Sequence, residues 1–66
     1  MVNYNVKMIE RYMKVHGMSR AGFCDFCGVP EDTVDKMYAK DGSVMSEDLI
    51  KVASALYVRV DDFLNR

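Results

Sequence analysis

The stretch Ser19–Tyr38, SRAGFCDFCGVPEDTVDKMY, decides how this 66-residue chain folds. Phe23, Cys24 and Cys27 follow the i, i+1, i+4 spacing that places apolar side chains on one face of a helix. Gly28 is expected to end that helix, because glycine enters the left-handed conformation at no steric cost. The first half of the stretch therefore predicts a short helix that stops at a tight turn.

A further helix is predicted directly after the turn, over about residues 30–38. Pro30 fixes a backbone angle that suits a helix start, and Glu31 and Asp32 suit the positive end of its dipole. Val34 and Met37, spaced i and i+3, are expected to face the core. Two helices joined by a short turn that contains glycine form a helix-turn-helix, whose second helix often enters the major groove of DNA.

An amphipathic helix is predicted before this stretch. Asn3 or Asn5 is its candidate cap, and Gly17 its expected end. Ser19 is expected to cap the next helix, because its hydroxyl can accept a hydrogen bond from a free backbone N–H. The apolar stripe of the first helix consists of Val6, Ile9, Tyr12 and Met13, widened by Met8 and Val15.

Two more helices are predicted after the loop AKDGSVM (39–45). Ser46 is the expected cap of the fourth helix, and 58–64 predicts a short fifth. Few segments alternate with period two, so no sheet is expected. The sequence thus predicts an all-α, compact bundle of about five short helices in a single domain, 1–66, with its core at about 5–64. The residues expected to bury the fourth helix are Leu49, Ile50, Val52, Ala53, Leu56 and Tyr57.

The charge of the chain is nearly balanced, at −1. The chain as a whole therefore lacks the strong positive charge typical of nucleic-acid-binding domains. Residues 1–20 are mainly basic, whereas 25–48 are mainly acidic and include the third helix. No apolar run of about 18 residues predicts a membrane span, and no signal peptide is visible at the N-terminus. We therefore expect a cytoplasmic protein with reduced cysteines.

Four segments resemble a known family in their order and spacing. They are HGMS (16–19), FCDFCGVPEDTV (23–34), LIKVASAL (49–56) and VRVDDFL (58–64). From about Lys7 to Leu64 the chain is similar to lambda-repressor-like or Cro-like helix-turn-helix domains of the XRE family. The resemblance implies a sequence-specific, repressor-type transcriptional regulator that reads double-stranded DNA with its third helix. It also implies a homodimer, without a cofactor, that acts by occupying its operator.

The resemblance also implies which residues contact DNA. Lys36 can donate to guanine, and Glu31 or Asp32 can accept from the cytosine amino group. The alternative for these two carboxylates is that they only stabilise the helix start, and near phosphates they would repel DNA. Arg20 is a candidate phosphate ligand or an ordinary exposed cation. The full set of predicted DNA-binding residues is Ser19, Arg20, Glu31, Asp32, Thr33, Asp35, Lys36, Lys40 and Ser43.

Two positions depart from the family pattern. Many relatives pair an arginine late in the first helix with a glutamate at the end of the third. Met13 and Tyr38 stand at these positions, and we predict that they form a sulfur–aromatic contact. Val58 and Val60 are candidates for a dimer interface. The methionines expected mostly in the core are Met8, Met13, Met18, Met37 and Met45.

Other classes of protein are weighed against this interpretation. The acidic third helix favours a protein–protein interaction module, or an antirepressor, that kept the fold without DNA binding. The Cys24-x-x-Cys27 motif predicts no metal site, because zinc needs four ligands and only His16 remains. Packing of both thiols in the core is expected instead. No catalytic constellation or phosphate-binding loop is visible, so an enzyme is not expected.

Overall fold

The computed structural model describes residues 3–64, and about 66% of them are helical with no strand among them. The prediction of an all-α fold with about five helices is confirmed for this range. The outer bounds of the predicted domain, 1–66, lie outside the described residues, and the division into one domain stays a prediction. The helices are α1 (Val6–His16), α2 (Arg20–Cys27), α3 (Glu31–Tyr38), α4 (Ser46–Ala55) and α5 (Val60–Phe63).

Helix α2 lies at the centre of the packing. It contacts both α3 and α4, and α4 in turn contacts α5. Phe23, Cys24 and Cys27 are all buried, as their spacing predicts. Cysteine is a small hydrophobe, so the burial of two cysteines on this eight-residue helix takes up little volume.

The turn after α2 is built on a left-handed glycine. Gly28 has φ +79°, and the backbone N–H groups of Gly28 and Val29 donate to the Cys24 carbonyl at 2.8 and 3.1 Å. Val29 is buried and anchors the turn in the core. Pro30 lies in the extended region ahead of α3, which begins at Glu31. The start of α3 thus agrees with the prediction of a helix from about residue 30.

Only one of the three predicted side-chain caps forms. Ser19 accepts a hydrogen bond from the Gly22 N–H at 3.1 Å. Asn5 precedes α1, but its side chain forms no capping hydrogen bond. Its ψ of 69° differs from the extended conformation in which a capping side chain can reach the free N–H groups of the helix. Ser46 is also corrected: Met45 holds the cap position, and its carbonyl accepts from Asp48 and Leu49 at 3.0 and 3.1 Å.

A hydrophobic cluster joins all five helices. The prediction for α4 is wrong at Ile50 and Tyr57, and the prediction for Met45 is also wrong, because all three are exposed. Ile50 lies two positions before the buried Val52, about 200° around the helix, so the two cannot share a face. The buried residues of the cluster are Tyr4, Ile9, Phe23, Cys24, Cys27, Val29, Val34, Met37, Val52, Ala53 and Phe63.

The two ends of the described chain meet at one isolated β-bridge. Tyr4 pairs with Leu64, and the Asn5 N–H donates to the Phe63 carbonyl at 2.8 Å. Helix α5 is shorter than predicted, because Arg59 is extended ahead of it. Val58 and Val60, the candidates for a dimer interface, are half-buried and pack against the core, and their part in a dimer stays a prediction.

Two glycine substitutions are expected to change stability in opposite directions. Gly28→Ala places a side chain at positive φ and should lower the free energy of unfolding by about 1–2 kcal/mol. Gly22→Ala in α2 meets only Ser19 Oγ at 3.4 Å, an ordinary contact, and should leave stability equal or raise it by about 0.5–1 kcal/mol. Urea unfolding followed by circular dichroism measures both. Equal stability of the two variants would contradict the assigned turn.

Candidate nucleic-acid interface

Helix α3 presents one face to the core and the other to solvent. Val34 and Met37 are buried, as predicted, whereas Glu31, Asp32 and Asp35 are exposed. We define the candidate interface as this exposed face together with residues from α2 and the loop after α3. Its members are Ser19, Arg20, Glu31, Asp32, Asp35, Lys36, Lys40 and Ser43.

Arg20 connects α2 to α3 through two contacts. Its Nη1 donates to Asp35 Oδ1 at 2.7 Å, and its guanidinium lies over the Tyr38 ring, 4.5 Å from the centroid. The pairing thus joins two residues that were predicted as separate DNA contacts. An exposed ion pair contributes at most about 1 kcal/mol, so a phosphate can displace Asp35 at little cost.

The Tyr38 ring packs against the Arg20 guanidinium. Its hydroxyl donates to Glu10 Oε1 at 3.3 Å. Burial, together with the nearby Glu10 carboxylate, raises the pKa of the Tyr38 phenol above its ordinary value. Sequence reasoning missed this supporting role, and the contact between Met13 and Tyr38 stays a prediction.

Lys36 is paired within α3. Its Nζ lies 3.5 Å from Asp32 Oδ2, one turn earlier on the same face. Such a pair of residues four apart contributes about 0.3–0.5 kcal/mol and weakens with salt. Lys36 and Arg20 are therefore both held by carboxylates that can release them.

Thr33 is the one predicted contact that the fold turns inward. It is buried, and its hydroxyl donates to Asp48 Oδ2 in α4 at 3.2 Å. This corrects its assignment to the DNA-facing side, because reaching a groove would require breaking that bond and leaving the core. Thr33 instead positions α3 against the start of α4.

The loop after α3 contains both Lys40 and Ser43. Lys40 has φ +59°, a left-handed conformation that is uncommon for a residue with a side chain. The Ser43 N–H donates to Asp41 Oδ1 at 2.9 Å, and this bond lowers the pKa of Asp41. The ionised Asp41 carboxylate therefore lies in sequence between Lys40 and Ser43, the two residues predicted to contact the DNA backbone.

The Ser19 oxygen accepts the hydrogen bond that caps α2. Its O–H group can still donate a hydrogen bond. Across the candidate interface, three cations (Arg20, Lys36, Lys40) face three carboxylates (Glu31, Asp32, Asp35). Asp41, between Lys40 and Ser43, adds a fourth carboxylate, so the surface is slightly acidic and has neither a purely positive rim nor a ring of carboxylates alone.

The two thiols are buried, unpaired by a disulfide, and belong to the core, as expected. Burial raises the pKa of Cys27 to about 11, and burial is also the main cause of the raised pKa of Cys24. Among residues 3–64, no group of three or more His, Cys, Asp or Glu side chains is arranged to hold a metal ion.

No protein-family model, curated protein or solved structure matches this chain. Within the described range, no helix has both the length and the apolar character needed to cross a membrane.

The buried thiol of Cys27 is expected to make stability fall in alkaline solution. Its pKa rises from 9.0 to about 11 on folding, so the unfolded chain loses this proton first. Stability is then fully present below pH 9 and is lost as pH rises towards 11. Because burial also raises the pKa of Tyr4 and Tyr38, the informative comparison is with Cys27→Ala.

Chemical unfolding of both proteins from about pH 7 to about pH 10.5 measures the difference, which should appear only above the ordinary pKa of the thiol. Cys27→Ala should lose stability less steeply above pH 9, while the two slopes coincide near neutrality. Parallel curves over the whole range would contradict the raised pKa.

Proposed function

We propose that the protein is a DNA-binding transcriptional regulator of the XRE type, in which α2, its glycine turn and α3 act as a helix-turn-helix. The observation that carries this proposal is the orientation of α3. Thr33, Val34 and Met37 hold one face on the core, which leaves Asp32, Asp35 and Lys36 facing outward. A helix anchored in this way can lie in the major groove with side chains towards base edges.

The ion pairs of the interface fit an exchange mechanism. On binding, Arg20 would leave Asp35 for a phosphate oxygen, to which arginine can bind through two hydrogen bonds. Lys36 would leave Asp32 for guanine acceptors, and the freed carboxylates would accept from cytosine amino groups. Because both pairs are exposed and weak, breaking them costs little compared with the new hydrogen bonds to DNA.

The proposed mechanism of regulation is occupancy of an operator. One α3 covers only a few base pairs, so we propose a homodimer on two half-sites about 34–36 Å apart, the spacing of one DNA turn. Bound in this way, the protein would block or recruit polymerase. Cytoplasmic location belongs to the same proposal.

A second candidate is a protein–protein interaction module, or antirepressor, that uses the same surface. The pairing of Arg20 with Asp35 and of Lys36 with Asp32 favours it, because cations that are already neutralised by carboxylates do not attract the phosphate backbone. The two functions differ in how binding depends on salt.

A salt titration with a fluorescently labelled duplex distinguishes the two candidates. We expect the affinity to fall as salt rises, with a slope of about −0.9 for each phosphate contacted. Arg20→Ala should weaken binding and reduce that slope by about 1. Arg59→Ala removes an exposed arginine next to α5 and serves as the matched control. Absence of DNA affinity at low salt would favour the interaction module.

Lys40→Gly separates stability from DNA binding. Glycine adopts φ +59° without the steric cost that lysine has, so the free energy of unfolding should stay equal or rise by up to about 1 kcal/mol. Loss of the cation should weaken DNA binding and reduce the salt slope by about 1. Thermal unfolding and the duplex titration measure the two effects. Unchanged DNA affinity would exclude Lys40 from the interface.

A further inference from the structure

Four large apolar side chains are exposed around α1, α2 and α4. The exposed fractions are 73% for Val15, 51% for Phe26, 55% for Ile50 and 86% for Tyr57. Exposed apolar residues scattered singly need no explanation, whereas a continuous patch indicates an interaction site. The geometry between these four side chains therefore decides whether they form one surface.

Two clefts join them. A first cleft of about 300 Å³ is lined by Val15, Tyr12 and Leu56, among others. A second, of about 380 Å³, is lined by Phe26, Ile50 and Tyr57. The rings of Tyr12 and Phe26 are stacked, with centroids 5.7 Å apart and planes at 24°, and so connect the clefts. We call the two clefts and this ring pair the aromatic face.

The backbone at Tyr57 also indicates an interaction site. Tyr57 has φ +60°, and the N–H groups of Tyr57 and Val58 close the end of α4 on the Ser54 and Ala53 carbonyls at 3.1 and 3.0 Å. Glycine would make this turn without strain. Tyrosine adds strain, and because its side chain is almost fully exposed, burial within this chain does not compensate for it.

The charges beside the aromatic face indicate its occupant. Arg11 lines the first cleft and Lys51 the second, whereas no described carboxylate lines either one. A second copy of this face would offer these cations no carboxylate to pair with, so it is electrostatically a poor partner. A partner with apolar side chains flanked by carboxylates matches both the clefts and their charges.

We propose that the aromatic face binds an acidic amphipathic helix of a partner protein. Its apolar side chains would enter the two clefts, as in other helix-in-groove complexes, and its carboxylates would pair with Arg11 and Lys51. The aromatic face shares no residue with the candidate nucleic-acid interface. Helix binding and DNA binding can therefore be tested independently.

Two labelled helical peptides test the proposal by fluorescence anisotropy. Both carry Leu at i, i+3, i+4 and i+7, and the other positions are Glu in one and Lys in the other. The Glu peptide should bind and the Lys peptide should not. Tyr57→Gly should weaken binding by about tenfold or more, as loss of an anchor residue does, with an equal or higher melting temperature. Met45→Ala removes an exposed side chain outside both clefts and should leave binding unchanged.

Reversal of the charge at Lys51 provides a second test of the proposed helix binding. Lys51→Glu should weaken binding of the Glu peptide and improve binding of the Lys peptide, a change that a structural role for Lys51 would not cause. Failure of the Glu peptide to bind, equal binding of both peptides, or full binding by Tyr57→Gly would overturn the proposal. So would sedimentation showing a dimer that Tyr57→Gly dissociates, since the occupant would then be a second copy of this chain.

Discussion

The fold depends on the burial of one short helix against two neighbours at once. Phe23, Cys24 and Cys27 occupy adjoining positions on α2, where it contacts α3 and α4. A helix of eight residues is too short to be stable alone, so its conformation follows from this contact. The thiols take up little volume and bring no charge to the interior, as their raised pKa values indicate. This arrangement fixes α3 and, with it, the candidate interface.

Local chemistry made part of the fold predictable. Gly28 requires only its own backbone angle to end α2, and Ser19 requires only the N–H three residues later to cap it. Both features lie within one turn of sequence, where the residue type limits the conformation strongly. For the same reason the buried stripe of α2 could be predicted from spacing alone.

Several sequence predictions are wrong because contacts with distant elements of the chain determine whether a side chain is buried or paired. Ile50 is an exception, because its position on the helix opposite Val52 already accounts for its exposure. Tyr57 is apolar, and only the arrangement of neighbours leaves it uncovered. Thr33 turns inward because Asp48, fifteen positions away, accepts its hydroxyl. The pairing of Arg20 with Asp35 is equally distant, so sequence spacing could identify both residues without showing that they neutralise each other. The exposed face of α3 was predictable from spacing, but the pairing of its charges was not.

The bridge between Tyr4 and Leu64 has a consequence for how the chain assembles. It joins residues from the two ends of the described range, so its formation closes nearly the entire chain into a loop. That closure has the largest entropic cost of any contact here, although the cost grows only slowly with loop length. A circular permutant that links these two ends and opens the loop at Gly42 would turn the most remote contact into a local one. The same opening would lengthen the chain between α2 and α4, whose contact lies at the centre of the bundle, so no single order of the helices makes both the closing bridge and the central contact local.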